Sequence, residues 1–219
     1  MSVSAKPFLA GLVLAAALTT MALAEPAPAP TTPPPGPIPH GHKDARLATA
    51  GAYTLDNQHA GVIASVSHVG FSRSIFRFDG VEAALNWDPV HVEKSSLTVK
   101  VRTASIATNA NAEGFSQDLS ANYLKSPQFP EATFVSTAFR QIDATHGKVE
   151  GKFTLMGKTV PVTFDVTLIG AGPFFGQERI GVHAVTSIKP TDFGLPALFE
   201  EPIELNIDTE FYKGEMKLG

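Results

Sequence analysis

The chain has 219 residues, a formal net charge of −4 and no cysteine. That length supports one ordinary domain with a real core, and the mild charge leaves no electrostatic footprint for nucleic acid or an anionic membrane surface. The absence of cysteine excludes disulfides, thiolate metal sites, a Cys nucleophile and a lipid-modified N-terminal Cys.

The first predicted element is a targeting signal. Lys6 precedes the apolar run Phe8 to Leu18, and the small-residue triplet Ala22-Leu23-Ala24 follows. A positive n-region, a short h-region and an A-x-A site describe a secretory signal peptide over residues 1–24, and the run is too short for a comfortable transmembrane helix. Cleavage after Ala24 predicts export to a periplasm with no stable membrane anchor left behind. Residues 25–51 are expected to form a Pro-rich disordered leader. Glu25 to Pro39 reads EPAPAPTTPPPGPIP, which favours extended polyproline II and cannot build a helix or an interior strand. His40 and His42 at i, i+2 in that leader are a weak metal signal.

From Tyr53 onward the period is two. Val62, Ala64 and Val66 alternate with Ile63, Ser65 and Ser67; Leu97, Val99 and Val101 alternate with Thr98, Lys100 and Arg102. Val149, Phe153 and Leu155 share a side with Gly151. Val160, Val162, Phe164, Val166 and Leu168 form another apolar row, as do Ile180, Val182, Ala184 and Ile188, and then Ile203, Leu205, Ile207 and Phe211. Such alternation predicts half-buried antiparallel strands. Turn signals stand at Asp79-Gly80, His146-Gly147, Met156-Gly157 and Gly170-Ala171-Gly172-Pro173, so the glycine-rich GAGPFFG patch reads as a loop. Alternation stops between Asn109 and Leu124, where Phe115, Leu119 and Tyr123 at spacing four predict one short helix. About eight strands, each with one apolar face, must then cover one another as a sandwich or a closed barrel. An eight-stranded barrel either fills its interior or holds one slender ligand.

No catalytic constellation stands out. Asp192-Phe193-Gly194 lacks the other kinase motifs and reads as a turn at a strand end; no G-x-S-x-G, HExxH or Walker loop occurs. His183 is out of phase with its apolar neighbours, His91 and His146 lie at turns, and His59 starts a strand. His68 continues the inward phase of Val62, Ala64 and Val66, where it serves as a satisfied end-of-barrel histidine or as a polar contact for a ligand head. No second and third metal ligand is visible at metal spacing, and no cofactor is expected. The chain carries 15 Phe against one Trp and three Tyr, a composition that fits an apolar guest as well as a core.

Five segments in order resemble the YceI family of lipocalin-like periplasmic lipid-binding proteins: YTLDNQHAGVIASVSHVGFS, TASIATN, NYLKSPQFPEATFVS, FTLMGKTVPVTFDV and IKPTDFGL. The chain departs from the family pattern at Phe76 and Ala83, where glycines are usual, at Val160 and at Lys189, where basic residues and arginine are usual. The resemblance implies an all-β fold, an extended eight-stranded antiparallel lipocalin-like barrel with one short helix, over residues 52–213, followed by a C-terminal tail at 214–219. It also implies a non-enzymatic protein that binds, and transports or stores, a long-chain isoprenoid or similar amphiphilic lipid. The expected channel lining is Val62, Ala64, Val66, His68, Phe76, Val99, Phe153, Val162, Phe164 and Val166, with Ala64 leaving room for the guest. Two other readings stay open: an enzyme acting on an apolar substrate through His68 and a carboxylate, and a packed-barrel interaction protein of stress response. The oligomeric state is open, a homodimer among the options.

Overall fold

The structure is a computed structural model and describes residues 36–110, 112–196 and 201–214. The chain divides into two units, Met1–Pro37 and Ile38–Gly219. The signal-peptide reading, most of the Pro-rich run and residues 215–219 lie outside the described residues.

Among the described residues of the second unit there are ten strands: β1 Gly51–His68, β2 Ser72–Phe78, β3 Val81–Trp87, β4 Ser96–Arg102, β5 Ile106–Thr108, β6 Glu131–Gln141, β7 His146–Leu155, β8 Lys158–Phe174, β9 Gln177–Ile188 and β10 Ile203–Lys213. One short helix, α1 Phe115–Asp118, continues into a wide turn at Leu119–Tyr123. Eight strands close a ring in the order β1-β3-β4-β6-β7-β8-β9-β10, with β10 pairing back onto β1. All ladders are antiparallel. Closure leaves the ring without a free edge, as the shortage of helices to cover apolar faces demands.

The surplus over eight strands comes from β1, which is long enough to serve two neighbours on one edge. Its first residues pair with β3, from Gly51↔Trp87 to Thr54↔Ala84. Its last seven pair with β2, from Val62↔Phe78 to His68↔Ser72. β2 in turn pairs with the short β5. On the other edge β1 pairs with β10 at both ends, interrupted by a bulge between Leu55 and Ala60. Asp56 in that bulge is almost fully buried (2% exposed) and accepts hydrogen bonds from Gln58 N at 3.0 Å and Arg179 Nη1 at 2.5 Å.

Three expectations need correction. Residues 42–50 are not a loose leader. His42 exchanges two backbone hydrogen bonds with Ala171 on β8, at 2.9 and 2.8 Å, and Ala48 is fully buried with its carbonyl accepting from Trp87 Nε1 at 3.1 Å. This strap also holds a short 3-10 turn at Ala45–Leu47, capped by the Asp44 carboxylate. Nor is Gly170 to Pro173 a loop: β8 runs through it to Phe174, and the turn lies at Phe175-Gly176. Gly170 is a glycine because the strap lies on it, a Cβ there falling 3.0 Å from Gly41 Cα. Likewise His146-Gly147 opens β7, and the turn before it spans 142–145.

The β7–β8 and β8–β9 hairpins turn on Met156-Gly157 and Phe175-Gly176, with positive φ at every one of these four residues. That is the paired left-handed geometry whose twist matches two-residue hairpins.

Candidate functional site

The inward phase of each ring strand faces a common interior. β1 contributes Leu55, Val62, Ala64 and Val66; β4 contributes Leu97, Val99 and Val101; β7 contributes Val149, Phe153 and Leu155. β8 adds Phe164, Val166 and Leu168, β9 adds Ile180, Val182 and Ala184, and β10 adds Leu205, Ile207 and Phe211. Between these walls runs a cavity of about 740 Å³. Its size falls in the range of small-molecule sites and its walls are overwhelmingly apolar. Two apolar clusters flank it along the barrel axis. One gathers Val66, Leu119, Leu124, Phe193 and Leu195 near the helix; the other gathers Tyr53, Leu55, Leu85, Ala171 and Phe211 near the strap.

Aromatic geometry shapes the walls. Phe134 meets Phe164 edge to face at 5.1 Å, and Phe153 meets Phe193 at 5.3 Å. Phe134 lies flat against β7 because Gly151 is there: a Cβ at 151 would sit 2.4 Å from Phe134 Cζ and 2.6 Å from Val135 O. A glycine in the inward phase of Val149 and Phe153 was the sequence signal for that close approach, and alternation alone did not convey it.

Ala64 and Phe76 are direct cross-strand partners. Both line the cavity. The small side chain on β1 therefore stands beside the large one on β2, so the space left by Ala64 is partly taken by Phe76. Val62, Val66, Val99, Phe153, Phe164 and Val166 also lie on the wall. Two expected positions do not. Val162 is buried in the cluster near the helix and borders a separate shallow groove with Phe193. His68 is exposed at the last position of β1, because the strand runs past the cavity before it turns. Among the described residues its ring has no hydrogen-bond or ion-pair partner.

The two ends of the cavity differ. At the helix end the lining residues Leu119, Leu124, Ile188, Leu195 and Ile203 are all buried, so the described residues close that end with side chains. Phe193 reinforces it from the 3-10 turn Pro190–Phe193, which Gly194 terminates at φ +79°. The Asp-Phe-Gly triplet is thus a structural turn that packs Phe193 behind the wall residue Phe153. At the strap end the cavity reaches exposed polar residues, among them Lys43 and Arg46 of the strap and Asp143 and His146 around the β6–β7 turn, with half-buried Lys148 beside them.

Polar chemistry ties the strap down beside this mouth. Glu178 accepts hydrogen bonds from Thr49 N at 2.9 Å and Thr49 Oγ1 at 2.7 Å. The buried Tyr53 hydroxyl lies 2.7 Å from the Thr49 carbonyl and 3.0 Å from the same carboxylate, and Lys213 closes the group. Partial burial pushes the Glu178 carboxyl up, but the Thr49 and Tyr53 hydrogen bonds with the Lys213 charge outweigh it and hold the group at about 2. Burial, followed by the adjacent Glu178 carboxylate, pushes the Tyr53 phenol up. In the rim itself Asp143 is held at about 2 by hydrogen bonds from the Thr145 backbone and the His146 ring.

Among the described residues one group has metal-ligating residue types within reach of one another: Asp56, His59 and Glu210, whose candidate atoms lie within 4.8 Å. The donor set does not fit a cation. Arg179 Nη1 already bonds both carboxylates, at 2.5 Å to Asp56 and 2.9 Å to Glu210, and compensates their charge. The cluster instead fastens the β1 bulge to β9 and β10. Among the described residues no helix is long and apolar enough to cross a membrane.

Comparison with known proteins gives a consistent family. The family described as YceI-like domain matches residues 53–211. A UPF0312 protein of Pseudomonas putida is 36% identical over 171 residues, covering 76% of this chain and 88% of that protein. Among solved structures, the Campylobacter jejuni YceI protein superposes with a TM-score of 0.61 at 25% identity, covering 68% of this chain and 91% of that one. A domain from Saccharophagus degradans, described as polyisoprenoid-binding and implicated in plant cell wall breakdown, gives a TM-score of 0.50 at 16% identity, covering 77% and 99%.

Proposed function

Starting from the premise that this chain belongs to the YceI-like domain family, we propose that it binds a long-chain isoprenoid or similar amphiphilic lipid in the barrel cavity and carries or stores it outside the cytoplasm, without catalysis. The observation that carries this reading is the cavity of about 740 Å³ walled by aliphatic and phenylalanine side chains. Burying an apolar chain there gains about 25 cal/mol for every Å² removed from water, so a guest several isoprene units long binds without a charged contact. The closed helix end receives the tail and the polar strap end receives the head, because a polar head buried among the Phe134, Phe153 and Phe164 rings would lose its hydrogen bonds to water. The similarity to the polyisoprenoid-binding domain of Saccharophagus degradans supports the choice of ligand class. The N-terminal signal-peptide pattern supports the compartment.

The experiment is mass spectrometry of organic-solvent extracts from purified protein, run on the wild type and on Ala64→Trp. The wild type is expected to yield a long-chain lipid in near-stoichiometric amount, and the variant much less. Ala64 faces the cavity beside Phe76, so the added indole occupies guest space. Failure of the wild type to yield lipid, together with simple unfolding of Ala64→Trp as in an overpacked solid core, returns the protein to the interaction-protein reading.

A further inference from the structure

The strand registers place four chain segments at the open end of the cavity: the strap, the β3–β4 connection (88–95), the β6–β7 turn (142–145) and the β8–β9 turn (175–176). Each presents a bulky apolar side chain to solvent. Leu47 is 39% exposed, Val90 78%, Ile142 60% and Phe175 71%. Isolated exposed apolar residues need no explanation, but one on each of these four segments around a single opening is a pattern, whereas at the other end exposure of this kind is gathered on the one β1–β2 hairpin at Val69 and Phe71. Phe175 adds a second observation. Its φ is +46°, in the left-handed region that bulky residues rarely adopt, at a hairpin position that favours Asn or Gly. The ring meets Phe174 edge to face at 4.6 Å and leaves the rest of its surface to solvent at that tip.

We propose that this end of the barrel docks on a lipid bilayer, with Val90, Ile142 and Phe175 entering the acyl–headgroup boundary and the cavity mouth facing the membrane. The proposal rests on the lipid-binding reading, because a guest that leaves an apolar phase for an apolar cavity avoids water only if the mouth meets that phase directly. Separate tips on separate loops do not make the contiguous patch that a folded protein partner packs against, whereas a fluid interface accepts each tip independently. Three of the rim cations are paired with carboxylates, Arg46 with Asp44, Arg140 with Glu150 and Lys148 with Asp165, while Lys43 and Lys94 have no ion-pair partner among the described residues. Docking therefore draws on the apolar tips more than on charge, and it persists at high salt.

The test is flotation with vesicles of phosphatidylethanolamine and phosphatidylglycerol, at low and high salt. The wild type is expected to float in both. A variant combining Val90→Asn, Ile142→Asn and Phe175→Asn should lose flotation by roughly tenfold for each tip that inserts fully. Its melting temperature should not fall, since Asn suits the left-handed position at 175 better than Phe. Phe71→Asn, on the β1–β2 hairpin at the other end, should float like the wild type. The proposal is overturned if the wild type stays with the soluble fraction, if the triple variant floats unchanged, or if Phe71→Asn is the change that abolishes flotation. Lipid extraction from the same preparations separates the two claims. Lipid recovered from a protein that does not float sinks docking alone, and flotation of a protein that yields no lipid sinks the cavity reading alone.

Discussion

The two ends of this barrel are closed by opposite chemistry. At the helix end Leu119, Leu124, Phe193 and Leu195 seal the interior by packing, and their stabilisation is spread over many contacts. At the strap end a segment outside the ring is held by a few directional bonds: the His42–Ala171 bridge, the Trp87 indole on Ala48 O, and Thr49 on Glu178. Packing of the first kind opens only with loss of core. Attachment of the second kind gives way one bond at a time, in water that competes for each bond. The comparison assigns rigidity to the helix end and yielding to the strap end, the end that the proposed guest would pass.

Removing the buried Phe193 ring from the packed cluster at the helix end is the largest expected effect. Phe193 is almost completely buried and meets the Phe153 ring edge to face. Phe193→Ala is expected to cost about 3–5 kcal/mol in urea unfolding. A loss well under 1 kcal/mol would break the comparison, since it would mean that end is not a packed seal.

Unseating the strap comes next. A side chain at 170 meets the strap backbone, 3.0 Å from Gly41 Cα and 3.1 Å from its carbonyl carbon. Gly170→Val should cost on the order of 1–2 kcal/mol globally, because the eight-strand ring stays intact. Its sharper signature is local: hydrogen exchange at the His42 and Ala48 amides should accelerate while β6 and β7 keep their protection. Uniform acceleration across the barrel would make the strap part of the core rather than a tie across its mouth.

The smallest effect is a pH dependence confined to the strap end. Glu178 is held at about 2 against an ordinary value of 4.5. A carboxyl lowered by folding contributes stability that is present above its unfolded value and is lost as pH falls through the folded one. The Thr49 amide should therefore lose exchange protection progressively from about pH 4.5 toward 2. Glu178→Gln should flatten that dependence, leaving the buried apolar packing at the helix end indifferent. Equal acid sensitivity at both ends would show that the polar tie at Glu178 is not what distinguishes them.

Much of the cavity wall was legible from alternation. A strand flips successive side chains, so one row of Val, Ala and Phe marks one face, and Val62, Ala64, Val66, Val99, Phe153, Phe164 and Val166 fall on one surface. Period two also conveyed the all-β class, and the break between Asn109 and Leu124 conveyed the helix. Alternation carries phase but not depth along the barrel. His68 shares the phase of Val66 yet lies beyond the cavity, and Val162 shares the phase of Phe164 yet packs elsewhere. Phase likewise could not reveal that Ala64 and Phe76 stand opposite each other, which needs the β1–β2 register.

The sequence by itself determined which faces are apolar, where the chain turns from strand to helix, and the family to which it belongs, because these follow from local side-chain order and short motifs. Tertiary structure alone decided that the ring closes through β1 and β10, that β1 serves both β2 and β3, and that the strap is folded onto Gly170 instead of trailing away. Closure and the strap depend on backbone hydrogen bonds and glycine-to-glycine contact between residues more than a hundred positions apart, and the shared edge of β1 depends on backbone register with its neighbours. A backbone group leaves no mark in the sequence of its partner, and a glycine looks the same whether it makes a turn or makes room.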